Sequence, residues 1–173
     1  VKQLLSESES KILSWKNEIQ KAVGSNGNVI SNFIPEVKYI IGEQPEIQSL
    51  GPEEDQNRFI HVFSKFAAVF AKKDHPLVIF LDDLQWADTA SFNLIKAVLI
   101  NPEINYLYFI GNYRDNENLD SHLLTLTINE IENAGFKINK INLGPVKLED
   151  INELISNFLR SDMKTTYELA EII

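Results

Sequence analysis

The spacing of apolar positions predicts helices over most of the first 72 residues. Apolar side chains recur at helical intervals through residues 1–23. A second helical pattern covers 29–41, with Pro35 at its start or at a break. After a loop over 42–55 that is rich in Gly, Pro and acidic residues, residues 56–72 are apolar on more than one face. This last pattern predicts a helix that is buried on several sides.

Beyond Pro76 the pattern changes to strands that alternate with helices. The run 77–81 is short and does not alternate, which is typical of a strand covered on both faces in a parallel sheet. Residues 105–111 form a second candidate buried strand, and the alternating residues 137–143 predict a third near a sheet edge. Helical patterns at 89–100 and 119–134 separate these strands. The order predicts a layered α/β fold with right-handed crossovers.

Composition and charge exclude several classes of protein. Of the 173 residues, 44% are hydrophobic and 24% charged, which is ordinary for a globular domain. The formal net charge is -9, and no Lys/Arg cluster is present, so we expect no direct nucleic-acid partner. No apolar run approaches the roughly 18 residues of a membrane span, so we expect no membrane partner. There is no cysteine, which is compatible with a reducing cytosol. The three histidines do not have the spacing of metal ligands.

Two adjacent carboxylates, Asp82 and Asp83, follow the first predicted strand. Ligands of open parallel sheets bind beyond the carboxyl ends of strands, and neighbouring acids there need a positive partner. Mg²⁺ with a nucleoside triphosphate would supply it, because Mg²⁺ needs only one protein carboxylate besides waters and phosphates. The second acid can then orient or deprotonate an attacking water. The pattern fits equally a strand that ends in a solvated turn, where Asp83 or Asp88 caps the next helix.

Two further residues lie where a nucleotide site would need them. Arg114, in "GNYRDNE", follows the second strand, and its fork of donors suits a terminal phosphate. A surface ion pair with Asp115 or Asp83 is the alternative. Pro145, in "LGPV", follows the third predicted strand and fixes the chain direction into the next helices, although a simple strand-to-helix stop explains it equally well.

Three segments together, "HPLVIFLDDLQWAD", "YFIGNYRDNE" and "INLGPVKLEDINELI", resemble the STAND-class P-loop ATPase module of large bacterial signalling proteins. These modules are relatives of AAA+ proteins and occur in multi-sensor hybrid histidine kinases and serine/threonine kinases. The resemblance implies a P-loop NTPase-like layered α/β fold, with a parallel sheet flanked by helices and incomplete at the N-terminus. Residues 1–75 would then precede Walker B, 76–146 would form the core with Walker B and the sensor strand, and 147–173 would begin a helical lid.

The resemblance also implies roles for individual residues. Asp82 matches the Walker B acid associated with Mg²⁺, and Asp83 matches the second acid, which polarises water. Arg114 matches the sensor arginine that reads the terminal phosphate, and Pro145 matches the proline of a GxP-type motif near the adenine. Arg58, in "QNRF", is a weaker candidate for a nucleotide or inter-subunit contact, and it could instead snorkel to solvent.

Two other residues of the "DDLQWAD" string are expected to be structural. We interpret Trp86 as a packing residue and Asp88 as the cap of the following helix.

One departure from the family pattern is large. No GxxxxGK[ST] sequence is present, and no glycine is followed by lysine. The backbone cradle and the lysine that hold phosphates are therefore missing. The resemblance places this loop upstream of Val1, and both termini fall inside helical patterns, so we expect a piece of a longer protein that alone binds ATP weakly or not at all.

The function implied is a regulatory ATP-binding module, with ATP and Mg²⁺ as cofactors, inside a cytoplasmic two-component signalling kinase. Partners would be the kinase and sensor domains of the same chain and further copies in a homo-oligomer. Phosphotransfer would belong to other domains, because the kinase motifs HRD and DFG are absent. Two alternatives stay open: a nucleotide-free interaction scaffold, and the ATPase core of a large transcription activator.

Overall fold

The computed structural model describes residues 1–114 and 121–172, with the backbone alone at 121 and 122. It divides into two compact units, Val1–Ile138 and Asn139–Ile173. The first unit holds six helices and two strands within the described ranges, and the second unit holds two helices.

The first unit begins with a helical layer, as the spacing predicts. A short 3₁₀ turn at Leu4–Ser6 precedes α1, and three more helices follow before the sheet. Their bounds are α1 Glu9–Val23, α2 Gly27–Phe33, α3 Lys38–Ile41 and α4 Pro52–Phe70. Helix α4 begins with a proline in its first turn and three acidic residues that suit the helix dipole. Their apolar faces share one core, which also includes Val37 from the 3₁₀ turn Pro35–Val37; its other buried members include Ile19, Ile30, Ile40, Val62 and Phe66.

The two strands are β1 Leu77–Leu81 and β2 Leu107–Gly111. They pair in parallel, with Leu77 opposite Leu107 and Leu81 opposite Gly111. Helix α5 Thr89–Leu99 connects them, and α6 Ser121–Asn133 follows β2. The chain is therefore an α/β protein with a parallel sheet, compatible with a P-loop NTPase-like fold.

The prediction that both faces of the sheet are covered was wrong. Leu77, Leu107 and Leu81 pack against helical side chains on one face of the sheet. On the other face, Val78 and Phe80 are 58% and 57% exposed, and their partners in β2 are exposed as well. The physical reason is that α4, α5 and α6 supply apolar partners to one face, and no described helix covers the other.

The prediction of a third strand over 137–143 was also wrong. Residues 137–143 have no regular secondary structure, and Ile141 and Leu143 are 83% and 90% exposed. Alternation predicts which side chains share a face of a strand, but a strand also needs a neighbour to complete its hydrogen bonds. Among the residues that the structure describes, no strand pairs with this segment.

The second unit is a helical hairpin, α7 Leu148–Leu159 and α8 Met163–Ala170. Polar groups hold its interior together. Thr166 Oγ1 donates to Asn152 Oδ1 at 2.6 Å, and Asn152 Nδ2 donates to the Met163 carbonyl at 2.9 Å. Within the two described ranges, no helix combines the length and apolarity needed to cross a membrane.

Candidate functional site

A left-handed residue and a short turn follow directly where β1 ends. Asp83 has φ 56° and ψ 47°, in the left-handed region, and a 3₁₀ turn at Leu84–Trp86 follows it directly. Aspartate is among the few residues besides glycine that visit this region readily, because its short polar side chain bonds locally. The turn follows β1 directly, so both acids lie at the carboxyl end of that strand.

Asn112, the first residue after β2, fixes this turn. Its Oδ1 accepts a hydrogen bond from the Asp83 N–H at 2.7 Å. Its own N–H donates to the Leu81 carbonyl at 3.1 Å, and its carbonyl accepts from the Leu84 N–H at 2.9 Å. The parallel strands therefore stay joined past their last paired residues, so the segments that follow them emerge side by side.

Gln85 makes a second connection between the two strand ends. Its side chain is buried; Nε2 donates to Asp83 Oδ1 at 2.8 Å, and Oε1 accepts from the Arg114 N–H at 3.2 Å. The second acid and the backbone of the arginine are thus linked through one amide group.

The guanidinium of Arg114 also approaches Asp83. Arg114 Nε lies 3.8 Å from Asp83 Oδ1, with the two side chains 69% and 47% exposed. An exposed pair at this separation contributes little to stability, of the order of 0–1 kcal/mol. The sequence left open whether Arg114 meets a phosphate or pairs with Asp83 or Asp115. The structure brings it beside Asp83, and Asp115 lies outside the described residues.

Asp82 has different surroundings from its neighbour. Its carboxylate is exposed and accepts no hydrogen bond from the residues that the structure describes. Within those residues, no group of three His, Cys, Asp or Glu side chains is arranged to hold a metal ion. A site for Mg²⁺ here would therefore use at most two protein carboxylates, with waters and phosphate oxygens completing the shell. Such a site suits Mg²⁺, which keeps several water ligands, and does not suit a metal ion that needs most of its ligands from protein side chains.

Asp88 caps α5, as predicted. Its Oδ1 accepts a hydrogen bond from the Ser91 N–H at 2.7 Å. The expectation for Trp86 was wrong, because this side chain is 72% exposed. It lies on a 3₁₀ turn whose buried positions are Leu84 and Gln85, so the indole is left on the outer side.

Arg58 has local partners. Both of its terminal nitrogens donate to the Gln48 carbonyl, and it forms an ion pair with Asp55. Hydrogen bonds from the Ser49 hydroxyl and then the Leu50 N–H hold the pKa of Asp55 below its ordinary value, with Arg58 adding to the effect. Arg58 is thus bonded to the backbone of the loop before α4, and a nucleotide or subunit contact stays a prediction.

Pro145 belongs to the second unit. It is exposed and lies in the irregular segment that precedes α7. Its packing near adenine stays a prediction.

Sequence reasoning missed Gln85 and Asn112. A usable signal was present for Asn112, because two parallel strands of five residues each align their ends, and a polar residue follows directly in both. Gln85 gave no such signal, since only the backbone turn at Asp83 aims its side chain inward.

Comparison with known proteins shows the family of the chain. A family model described as "AAA ATPase domain" matches residues 1–110, so the chain belongs to this family of ATPase domains. It is also 40% identical over 96 residues to the hybrid signal transduction histidine kinase G of Dictyostelium discoideum. The match covers 56% of this chain but only 3% of that kinase. No solved structure matches the chain at a significant level.

Proposed function

We propose that this chain is the Walker B and sensor half of a regulatory ATP-binding module within a signalling kinase. The observation that carries the proposal is the meeting of two strand ends. Asp82 and Asp83 follow β1, Arg114 follows β2, and the parallel register sets them side by side, with Arg114 Nε 3.8 Å from Asp83. Acids and an arginine at one sheet edge can receive a metal-bound triphosphate.

The two acids would act differently. Asp82 would hold hydrated Mg²⁺ through its exposed carboxylate, and the ion would offset charge on the phosphates. Asp83 would orient the attacking water, since it is fixed by its turn and by Gln85. Arg114 would exchange part of its contact with Asp83 for the terminal phosphate, whose oxygens suit its donors.

The phosphate loop would come from sequence before Val1, because the 173 residues contain no GxxxxGK[ST]. Membership of the AAA ATPase domain family supports the use of a nucleotide. Assignment to the STAND class, a lid over 147–173 with Pro145 near the base, and a bacterial origin are further parts of the proposal.

Similarity to a hybrid histidine kinase supports a place in two-component signalling. The module would then act in the cytoplasm beside kinase and sensor domains of the same chain. ATP occupancy would switch it between two arrangements, which requires only different contacts to the terminal phosphate in each.

Titration with ATP tests this function. A longer chain that includes the upstream phosphate loop should bind ATP more tightly with Mg²⁺ than without, and should hydrolyse it. In that chain, Asp83→Asn should slow hydrolysis far more than it weakens binding. Equal loss of both would remove Asp83 from the water-orienting role.

One observation favours a second candidate, a nucleotide-free scaffold. The Asp83 carboxylate already has two partners in Gln85 and Arg114, so it does not require a ligand for stability. The scaffold function is supported if the longer chain shows no Mg²⁺-dependent ATP binding.

A further inference from the structure

Gln85 is placed to do more than fill space. It is 5% exposed, and its amide lies between the ends of the two strands. On one side it contacts the Asp83 carboxylate, and on the other it contacts the backbone N–H of Arg114. Among the described residues, these two contacts are the polar partners of its side chain.

The orientation of the amide follows from its partners. A backbone N–H can only donate, so the group that faces Arg114 must be the amide oxygen. A carboxylate accepts, so the group that faces Asp83 must be the NH₂. Rotation of the amide by 180° would set donor against donor and acceptor against acceptor, which leaves one assignment. Because the side chain is buried, loss of either partner would leave an unsatisfied polar group.

We propose that Gln85 is a positioning residue that couples the Asp83 carboxylate to the backbone of the arginine segment. The two hydrogen bonds of the Gln85 side chain form a bridge between Asp83 and Arg114. Movement of Asp83 toward a ligand strains or breaks the first hydrogen bond of this bridge, and movement of the Arg114 backbone strains the second. The two groups therefore adopt their binding geometry together. The catalytic meaning of this coupling rests on the proposed ATPase function, whereas the bridge itself does not.

Two substitutions separate the bridge from simple packing. Gln85→Met keeps the length and flexibility of the side chain but removes both hydrogen bonds. Gln85→Glu keeps the shape and an acceptor for Arg114, but it places a carboxylate against Asp83 and removes the donor. Gln20→Met is the matched control, because Gln20 is a partly buried glutamine of the same unit, bonded to the Ile41 carbonyl away from the strand ends.

The first measurement uses the 173-residue chain. Hydrogen exchange at the Arg114 amide should be faster in Gln85→Met by about fivefold, the size expected for loss of one hydrogen bond of ~1 kcal/mol. Gln85→Glu should leave this amide protected, since the acceptor remains, and Gln20→Met should not change it. Unchanged exchange in Gln85→Met would overturn the bridge.

The second measurement uses ATP hydrolysis by the longer chain that carries the phosphate loop. Both Gln85 variants should lower kcat by roughly tenfold, with KM changed less than about twofold, because the lost hydrogen bond positions Asp83, which orients the reacting water. In an Asp83→Asn background, Gln85→Met should then have no further effect on kcat, since both residues act through one group.

The outcomes distinguish this inference from the proposed function. Hydrolysis by the wild type with an unchanged kcat in Gln85→Met overturns the inference and leaves the function standing. Multiplicative effects in the double variant also overturn it, because they indicate a structural role alone. Absence of hydrolysis in the wild type contradicts the function, and the exchange measurement then decides whether the bridge exists.

Discussion

Neighbouring acids at the end of β1 have unlike surroundings. Asp82 is exposed and makes no hydrogen bond with the described residues, whereas Asp83 lies in a left-handed turn and is held by Asn112 and Gln85. Repulsion between the two carboxylates is tolerable because Asp82 keeps its hydration and Arg114 approaches Asp83. One acid is therefore open to solvent, and the other is held by hydrogen bonds.

Replacement of Asp83 tests the turn separately from the charge. Asn tolerates the left-handed conformation, so Asp83→Asn should change the free energy of unfolding by less than about 0.5 kcal/mol. A β-branched residue does not, so Asp83→Val should cost roughly 1–3 kcal/mol. Urea denaturation of both variants measures this difference, and equal stabilities would contradict the left-handed turn.

The hydrogen bonds of Asp55 predict a pH dependence. Because Ser49 and Leu50 lower the folded-state pKa of Asp55, its contribution to stability is complete above the unfolded pKa of about 3.9 and is lost as pH falls through the folded value. The wild type should therefore exceed Asp55→Asn in urea midpoint at pH 6, and the gap should narrow below about pH 4. Asp74→Asn, at an exposed position, is the control. A gap that does not change with pH would contradict the prediction.

At the scale of elements, local sequence patterns predicted the positions of helices and strands better than they predicted which faces of those elements are buried. Both strands and most helices lie where the apolar spacing indicates, and capping by Asp88 follows from residue type. The prediction of buried faces failed because burial depends on packing partners that are distant in sequence. The apolar run 77–81 has the composition of a strand between two layers, but one of its faces is open, and the alternation over 137–143 finds no partner strand.

Two phenylalanines on opposite faces of the sheet test which face is packed. Phe80 is 57% exposed, and Phe109 lies on the face that meets the helices. Phe109→Ala should cost roughly 2–4 kcal/mol in free energy of unfolding, while Phe80→Ala should cost below about 1 kcal/mol. The comparison is made by urea denaturation. A larger cost at Phe80 would show that the exposed face is covered in solution.

At the scale of the whole molecule, the chain consists of two compact units, each with its own packing. Residues 139–147, at the start of the second unit, have no regular secondary structure and are exposed. Protease cleavage concentrates in such segments, because the backbone must leave its hydrogen bonds to enter the enzyme.

Limited trypsin digestion should therefore cut first at Lys137, Lys140 or Lys147. The early product should be a fragment that retains the first unit, identified by mass spectrometry. Cleavage at lysines within α1 or α4 at the same rate would contradict the division into units.

The sequence predicted about half of the candidate site. Asp82, Asp83 and Arg114 could be placed because the ends of the two strands follow from local patterns. Gln85 and Asn112 could not, since their roles depend on a left-handed turn and on contacts across the sheet. Pro145 belongs to the second unit, and its proposed place near adenine stays a prediction.

The most direct test is the Mg²⁺ dependence of ATP affinity in the longer chain, measured by calorimetry for the wild type and Asp82→Asn. The account predicts that Mg²⁺ tightens binding to the wild type by about tenfold or more, and that Asp82→Asn loses most of this gain while its affinity without Mg²⁺ is unchanged. A gain from Mg²⁺ that is equal in both proteins would contradict a metal–nucleotide site at the end of β1.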